Sequence, residues 1–376
     1  MPMLRSISIF KMFIVLVAMN IFSSPAASRP WRDSLNVDGP YILYTEAGVR
    51  TITVDKSGNI ADRTSPLRPE TFQVTDHRGK LPFEVRLREI RRQPWRFDTQ
   101  PDKLFIMSDP HGRLDCVVSL LQGNGVIDKD LKWAYGRNHL AVIGDIFDRG
   151  EDVVQIFWLF YELQREAEEA GGHVSLFLGN HEPMVFSNDL RYTKPKYTIL
   201  ARELGMEYRA LFGENTELGR WIASWNTIGI IGRDLFVHAG LGGEFYRWNL
   251  SVPEVNRQMS SALFLKNAER KAKTDTLNFL YGTYGPIWYR GLVYDEPSRR
   301  PVSVDTLDLI RTRYGVEHIV VGHTIFKDIR TFYGGRVFDV NVDNKVNRRK
   351  HRGRAVLVEG GAYYVVGDKG KKRRLL

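Results

Sequence analysis

Five short polar segments carry the residue types in this sequence that could do chemistry. They are residues 108–112 (SDPHG), 144–150 (GDIFDRG), 179–182 (GNHE), 238–240 (HAG) and 322–323 (GH). Each comes directly after a short apolar run, and together they offer carboxylates, imidazoles, an amide and an arginine. Mixed imidazole, carboxylate and amide ligands suit Mn, Fe or Zn better than Ca. The pattern therefore predicts a transition-metal site.

The apolar runs before these segments predict strands, and the stretches between them predict helices. The strands are predicted at residues 104–107, 140–143, 174–178, 235–237 and 319–321. A helix is predicted over residues 113–122, and apolar residues at helical spacing predict a long amphipathic helix over residues 153–167. Alternation of strand and helix is typical of a parallel sheet. Because ligands of such sheets bind at the carboxyl ends of the strands, we expect the five polar segments to converge on one edge.

The five segments, in this order, resemble the motifs of the calcineurin-like metallophosphoesterases: D-x-H, G-D-x-x-D-R-G, G-N-H-E and two later histidines. The resemblance is closest to the phosphoprotein phosphatase branch and, within it, to the bacterial Shewanella-like phosphatases. It covers roughly residues 104–325, and residues 285–291 (GPIWYRG) resemble a further arginine motif of this branch. The resemblance implies an α/β (α+β) fold with a central β-sandwich of mixed sheets flanked by helices. It also implies a metal-dependent phosphoric ester hydrolase.

The resemblance further implies two divalent metal ions, Mn, Fe or Zn, that share one bridging carboxylate. The implied ligands are Asp145 as the bridge, Asp109 and His111 at the first ion, and Asn180, His238 and His323 at the second. Two metal ions about 3.5–4 Å apart can clamp phosphoryl oxygens and generate hydroxide near neutral pH. A metal-bridging hydroxide would then attack in line, so no side chain is needed as the nucleophile.

The other polar residues of the motifs correspond, by the same resemblance, to catalytic and phosphate-binding roles. His181 resembles the general acid that protonates the leaving alkoxide, and Asp148 would keep this imidazole protonated and oriented. Arg149, Arg290 and Asn180 would bind the phosphate, since a guanidinium can bind two oxygens at once.

Three further acidic residues lie near these motifs or at strand exits. Glu182 is expected to support the structure rather than to bind metal. Asp339 and Asp343 follow late strands, from which they could approach the site, but carboxylates at such exits are usually solvated, and we expect that setting for both.

The two ends of the chain differ from its middle. Residues 1–28 have a basic start, an apolar run at 12–22 and a small-residue end, which predicts a secretory signal peptide and a periplasmic or secreted protein. The apolar run is short for a membrane span, so no membrane anchor is expected after cleavage. The remaining chain is expected to contain a β-rich N-terminal region at 29–100, the metallophosphoesterase catalytic domain at 101–368 and a basic C-terminal tail at 369–376.

Composition limits the classes of partner and of stabilisation. The net charge of +10 is concentrated in residues 348–354 and 369–374, which lack the interleaved aromatics of a nucleic-acid platform. We therefore predict a solvated loop and a frayed tail there, and no nucleic-acid partner. Cys116 is the single cysteine, so an intramolecular disulfide is excluded and a buried packing role is expected.

The expected activity is hydrolysis of phosphomonoesters, in a phosphorylated protein, in a peptide or in a small molecule. The sequence leaves phosphotyrosine and phosphoserine/threonine open, as well as the oligomeric state. One alternative is a dinucleoside polyphosphate hydrolase, which has the same motifs but a cytosolic substrate that export argues against. Another is a non-catalytic phosphate-binding protein, which would be expected to have lost His181 or a metal ligand, whereas all of them are present.

Overall fold

The structure is a computed structural model that describes residues 34–343, 346 and 353–376. The predicted signal peptide at 1–28 and residues 348–352 of the basic stretch 348–354 lie outside the described residues. The described residues belong to one compact unit, Trp31–Leu376. Among them, no helix combines the length and the apolar character that crossing a membrane requires.

Strands supply the frame of the described chain. They are β1 (Asp38–Thr45), β2 (Gly48–Val54), β3 (Ile60–Ser65), β4 (Thr71–Val74), β5 (Phe83–Arg86), β6 (Arg96–Phe97), β7 (Lys103–Ser108), β8 (His139–Ile143), β9 (His173–Phe177), β10 (Ile228–Ile231), β11 (Asp234–Val237), β12 (His318–Val321), β13 (Arg330–Phe332), β14 (Val337–Asp339), β15 (Arg354–Glu359), β16 (Ala362–Gly367) and β17 (Lys372–Arg374).

Helices connect and cover these strands. They are α1 (Leu114–Gly123), α2 (Val153–Glu169), α3 (His181–Phe186), α4 (Pro195–Glu203), α5 (Glu217–Ala223), α6 (Gly243–Trp248), α7 (Val252–Ser261), α8 (Asn267–Lys273), α9 (Asp275–Leu280) and α10 (Val304–Tyr314), with 3₁₀ turns at Tyr208–Phe212, Pro297–Arg299 and Tyr333–Gly335.

Two six-stranded sheets form the centre of the fold. Their strand orders are β17-β16-β15-β7-β8-β9 and β13-β14-β12-β11-β10-β6. In the first sheet β7, β8 and β9 are parallel and β15 is antiparallel to β7. In the second, β11, β12 and β14 are parallel and β10 is antiparallel to β11. Both sheets are therefore mixed, which confirms the predicted fold class.

Alternating side chains of the central strands divide the core into layers. Leu104 and Ile106 of β7 belong to the cluster between the two sheets, whereas Phe105 and Met107 belong to the cluster beneath α1 and α2. Successive side chains of a strand point to opposite faces, and strands buried on both faces are apolar throughout. The arrangement is a β-sandwich with helices packed on its outer faces, as predicted.

Helix α2 is buried on nearly every side, although its sequence pattern predicted one apolar face. The N-terminal strands cover its outer side: the indole of Trp158 donates to the carbonyl of Pro40 at 2.9 Å. Glu162 accepts a hydrogen bond from the backbone N–H of Arg86 at 2.8 Å. A helix with apolar residues all round is stable only when both sides are covered.

The basic C-terminal stretch is partly ordered, contrary to the expected frayed tail. Strand β17 pairs with β16, and Lys372 and Arg373 bind Glu359 and Asp328 at 2.6 and 3.1 Å. Backbone pairing with β16 explains the order, because the edge strand offers unpaired N–H and C=O groups. Cys116 is buried in α1, as predicted.

Replacing Phe157 of α2 by alanine should lower the free energy of unfolding by about 3–5 kcal/mol, because the site is fully buried between α2 and its neighbours. Its ring contacts that of Phe147 at a centroid distance of 4.8 Å. Urea denaturation measures the change. Leu67→Ala is the control, since Leu67 is 76% exposed and its truncation should change stability by about 0.5 kcal/mol or less. Equal effects of the two substitutions would contradict the packing described for α2.

Candidate metal centre and active site

Imidazole groups from several strand exits surround the buried carboxylate of Asp145. The Nε2 atoms of His111, His181 and His238 lie 3.8, 3.8 and 3.2 Å from its Oδ2. Two groups of potential ligands have all their ligand atoms within 4.8 Å of one another: His111, Asp145 and His181, and Asp145, His238 and His323. The predicted convergence of the strand exits is therefore present, and Asp145 belongs to both groups.

Backbone carbonyls orient two of these imidazoles. The Nδ1 of His111 contacts the carbonyl of Phe147 at 2.8 Å, and the Nδ1 of His238 contacts that of Ile143 at 2.8 Å. A carbonyl only accepts, so each Nδ1 carries the hydrogen and each Nε2 faces the centre, which is the usual arrangement of metal-binding histidines. The Nε2 of His323 is buried without a hydrogen-bond partner among the described residues. These donors fit a divalent transition-metal ion.

Asp109 and Asn180 complete the cluster. The amide of Asn341 donates to Asp109 Oδ2 at 2.6 Å, while the backbone N–H of His323 donates to Oδ1 at 3.2 Å. The Oδ1 of Asn180 lies 3.1 Å from the Nε2 of His238. All six predicted metal ligands are thus brought together in one buried cluster.

The electrostatics of the cluster favour a bound cation. Burial, together with the charge of His181, lowers the pKa of His111 to about 3, so its imidazole is neutral and able to coordinate. Burial raises the pKa of Asp109 to about 6, and the charge of Asp145 adds to this effect. Burial opposes protonation of His238, yet Asp145 and Asp109 raise its pKa to about 9. A divalent ion here would separate the two carboxylate charges and displace that proton.

His181 and Asp148 form a buried pair beside this cluster. The Nδ1 of His181 lies 2.6 Å from Asp148 Oδ2, and Thr193 donates to the other oxygen of Asp148 at 2.6 Å. Burial disfavours the imidazolium, but Asp145 and Asp148 outweigh it and raise the pKa of His181 above its ordinary value. Since Asp148 occupies Nδ1, only Nε2 faces the centre.

The two predicted phosphate-binding arginines lie in different settings. Arg149 is exposed, and its guanidinium lies over the ring of Tyr192 at 5.2 Å from the ring centroid. Arg290 is half-buried and donates to the hydroxyl of Thr324 at 2.9 Å, next to His323. Among the described residues no carboxylate pairs with either guanidinium, so both can bind an anion.

The strand exits that carry the site adopt an unusual backbone conformation. Non-glycine residues with positive φ include Asp109 (50°), His111 (43°), Asp145 (56°), Asp148 (72°), Arg149 (63°) and His323 (63°). The left-handed region costs an L-residue roughly 1–2 kcal/mol, and such residues concentrate at functional sites. The surrounding structure therefore holds six of the predicted site residues in a backbone conformation that they would not favour on their own.

Two glycines let the strand exits approach one another. Gly144 has φ of +73°, and a Cβ there would lie 2.5 Å from the backbone nitrogen of Gly179. A Cβ on Gly179 would in turn overlap the carboxylate of Asp145. The glycines at the start of these two motifs are thus required by close packing of the backbone.

Glu182 supports the structure of the site, as expected. Its buried carboxylate accepts backbone N–H groups of Gly179, Ile146 and Asp145 at 2.7, 2.9 and 3.1 Å. These three hydrogen bonds tie the exits of β8 and β9 together. Their removal would leave several buried donors unsatisfied, which is costly.

The solvated setting predicted for Asp339 is wrong. Asp339 is 0% exposed, and the backbone N–H of Asn341 donates to its Oδ1 at 2.9 Å. Burial raises its pKa well above the usual value. The reason is position: β14 lies between β12 and β13, so its exit turns inward against the site rather than outward. Asp343 is exposed, as predicted.

Three contributing residues were not found by sequence reasoning. Asn341 holds Asp109, Thr193 holds Asp148, and Tyr192 lies under Arg149 with its ring centroid 5.3 Å from that of His181. None belongs to a motif. Asn341 does follow a strand that ends in a carboxylate, which is the one local signal that could have pointed to it.

Comparison with known proteins identifies the family. Residues 103–326, more than half of the chain, match the family described as "Calcineurin-like phosphoesterase", and the chain belongs to that family. It is a metal-dependent phosphoric ester hydrolase. This confirms the family and the enzyme class predicted from the motifs.

Curated relatives include named phosphatases. An uncharacterized protein of Schizosaccharomyces pombe is 30% identical over 234 residues, covering 60% of this chain and 67% of that protein. Shewanella-like protein phosphatase 2 of Arabidopsis thaliana is 24% identical over 269 residues, with the same coverage of each chain. Shewanella-like protein phosphatase 1 of Plasmodium berghei is 23% identical over 224 residues, covering 59% of this chain and 61% of that protein. The chain thus spans about two thirds or less of the length of these relatives.

A solved structure is similar over nearly the whole chain. The crystal structure of a cold-active protein-tyrosine phosphatase from a psychrophilic Shewanella species has a TM-score of 0.81 and 31% sequence identity. The match covers 90% of this chain and 99% of that chain. The similarity therefore extends beyond the motif-bearing segment to the N-terminal strands and the last sheet strands.

Substituting Asp145 by asparagine should remove most of the bound metal, because Asp145 belongs to both ligand groups. The protein is stripped with a chelator, reloaded with Mn²⁺, freed of excess metal and analysed for metal content. Asp343→Asn is the matched control, since it removes an exposed carboxylate at a strand exit and should leave the content unchanged. Equal metal content in wild type and Asp145→Asn would contradict the assignment of this cluster as the metal site.

Proposed function

We propose that this chain is a dinuclear metallophosphatase that removes phosphate from phosphorylated proteins or peptides. The observation that carries the proposal is the position of Asp145, which is shared by two groups of potential ligands. A carboxylate between two imidazole groups is suited to bridge two cations. The Nε2 of His181 lies 3.8 Å from Asp145 Oδ2, and Asp145 and Asp148 raise the pKa of His181 against the effect of burial, which suits a general acid.

The proposed ligand sets extend the two groups with Asp109 and Asn180 and leave His181 free as the proton donor. Asp109, His111 and Asp145 would hold the first ion, and Asp145, Asn180, His238 and His323 the second. When bound, the ions supply Lewis-acid activation of the phosphate and of water. The choice among Mn, Fe and Zn stays a prediction from the donor types.

His181 lies in the first ligand group, and its hydrogen bonding favours a role as proton donor. Asp148 holds Nδ1, which leaves the proton on Nε2 directed toward the centre. As the bond between phosphorus and the ester oxygen breaks, this proton passes to that oxygen, while water supplies the oxygen that the phosphate gains. Asp148, held by Thr193, keeps His181 charged before the reaction and fixes the plane of its ring.

Arg149 and Arg290 would hold the non-bridging phosphate oxygens during this step. Both guanidinium groups lack a carboxylate partner among the described residues, and Arg290 lies beside the loop that carries His323. A bidentate guanidinium fixes the orientation of the phosphate as well as compensating its charge. Because the two guanidinium groups would fix the orientation of the phosphate, they would also align its ester oxygen with His181.

The preference for a protein or peptide substrate is supported by the relatives. The similar solved structure is a protein-tyrosine phosphatase, and two relatives bear the name protein phosphatase. We therefore favour phosphotyrosine, then phosphoserine or phosphothreonine, over a dinucleoside polyphosphate.

The proposed function is tested by turnover of a phosphotyrosine peptide by the Mn²⁺-loaded protein, with diadenosine tetraphosphate as the competing substrate. We expect phosphate release from the peptide, loss of this activity in Asp145→Asn, and retention in Asp343→Asn. Faster cleavage of diadenosine tetraphosphate, or no turnover of any phosphomonoester, would overturn the proposal.

Replacing His181 by asparagine should reduce activity in proportion to the basicity of the leaving group. The leaving group of a phosphoserine peptide is an alkoxide, and that of a phosphotyrosine peptide is a phenolate whose phenol has a pKa of about 10. For both peptides we expect kcat to fall by about 10²–10⁴. The fall should be much smaller for p-nitrophenyl phosphate, because its leaving group needs little protonation. The measurement is kcat for each substrate.

His173→Asn is the control for this substitution. His173 is a half-exposed histidine at the first residue of β9, the opposite end of that strand from His181. It should leave all substrates unaffected. The same loss with p-nitrophenyl phosphate as with phosphoserine in His181→Asn would show that His181 does not act as the general acid.

A further inference from the structure

A cleft of about 580 Å³ opens beside the metal centre. Asn180 and Trp288 line its inner end, and Trp288 meets the ring of His323 edge-on with centroids 5.7 Å apart. Its other walls come from α3, residues 187–191, α8, α9 and the turn that follows α9. Clefts of this size hold ligands much larger than a phosphate group. A substrate with its phosphate at the metal centre would therefore extend into this cleft.

The floor of the cleft contains an arginine without an acidic partner. Arg270 is only 2% exposed, and no carboxylate pairs with it among the described residues. Its guanidinium donates instead to the carbonyls of Ala262 (2.9 Å), Pro183 (3.0 Å) and Leu263 and to the hydroxyl of Ser187 (2.7 Å). These neutral acceptors satisfy the N–H groups but leave the positive charge uncompensated.

The rim adds a second uncompensated cation. Asp189 and Arg191 bind each other through two hydrogen bonds of 2.8 Å, so their charges cancel. Lys271, next to Arg270 on α8, is exposed and has no acidic partner within the described chain. The lining of the cleft therefore carries a net positive charge, from Arg270 and Lys271.

Aromatic side chains supply the remaining surface. Tyr281, Tyr284 and Trp288 line the same cleft, and the ring of Tyr281 lies against the guanidinium of Arg270 at 4.6 Å. Aromatic walls bind side chains and extended backbone with little loss of their own conformational entropy. Cations and aromatic faces together match a polypeptide that carries carboxylates.

We propose that this cleft binds the polypeptide that flanks the phosphorylated residue and selects substrates with aspartate or glutamate in that flank. The inference rests on the proposed phosphatase function. It adds that the cleft recognises acidic residues beside the phosphorylated residue. Electrostatic complementarity of this kind contributes to specificity and to the rate of association. Lys271 is the residue that distinguishes acidic from basic flanks, since its exposed side chain lines the cleft.

The test compares three phosphotyrosine peptides that are identical except for glutamate, alanine or lysine at the flanking positions. For the wild type we expect kcat/KM to be about three- to tenfold higher for the glutamate peptide than for the alanine peptide, and lowest for the lysine peptide. The ratio should fall toward one as salt rises to about 0.5 M, because exposed charges are then screened. Lys271→Glu should reverse the order of the glutamate and lysine peptides.

Lys80→Glu is the matched control, since it makes the same charge change at an exposed lysine in the turn between β4 and β5. It should keep the wild-type order and ratio. If the wild type hydrolyses the three peptides equally at low salt, or if Lys80→Glu and Lys271→Glu behave alike, the inference is overturned while the phosphatase function stands. Failure of the wild type to hydrolyse p-nitrophenyl phosphate and all three peptides would overturn both.

Discussion

The buried negative charge of Asp145 is the constraint on which the rest of the site depends. Its Oδ1 accepts the backbone N–H of His181 at 2.9 Å, while its Oδ2 faces three imidazoles. Removing a carboxylate from water costs several kcal/mol unless partners or cations compensate it. Burial opposes the charge, but the imidazoles of His238, His181 and His111 outweigh burial and hold the pKa of Asp145 well below its usual range. The left-handed backbone at the strand exits and the hydrogen bond from Asp145 N–H to Glu182 keep these groups in position. A divalent cation at this position would replace the proton of His238 as the partner of this charge.

The position of most site residues could be predicted because their signal is local. Asp109 and His238 directly follow apolar strands, and Asp145 follows one after Gly144; strands of a sheet place such residues at one edge. The residues that hold them could not be predicted, because they come from distant segments: Asn341 is 232 positions from Asp109. Asp339 was misplaced for a related reason, since burial of its strand exit depends on sheet order rather than on local pattern.

Secondary structure shows the same division between local and long-range causes. The apolar strands β7, β8 and β9 were predicted within a residue or two. The short strands β6 and β10, of two and four residues, were not predicted. Their strand geometry depends on pairing with neighbours that lie far away in the sequence. A cleft wall is recognisable only after folding, because it is built from segments that lie apart in the sequence. Arg270 illustrates this, as its bond to Pro183 joins the cleft floor to α3, the helix that begins at His181.

The N-terminal strands over α2 have a consequence for how much of the chain is self-sufficient. The segment that carries the family resemblance, residues 103–326, includes neither the strands that cover Trp158 nor β15, which pairs with β7. A polypeptide trimmed to that segment would present the outer side of α2, with the Trp158 ring that Phe72 now contacts at 4.9 Å, as a continuous apolar patch. It would also present β7 as an unpaired sheet edge. Exposed apolar patches and open edges both lead to aggregation. The motifs thus mark where the chemistry is, but the polypeptide that keeps these surfaces covered is considerably longer than the segment that carries the motifs.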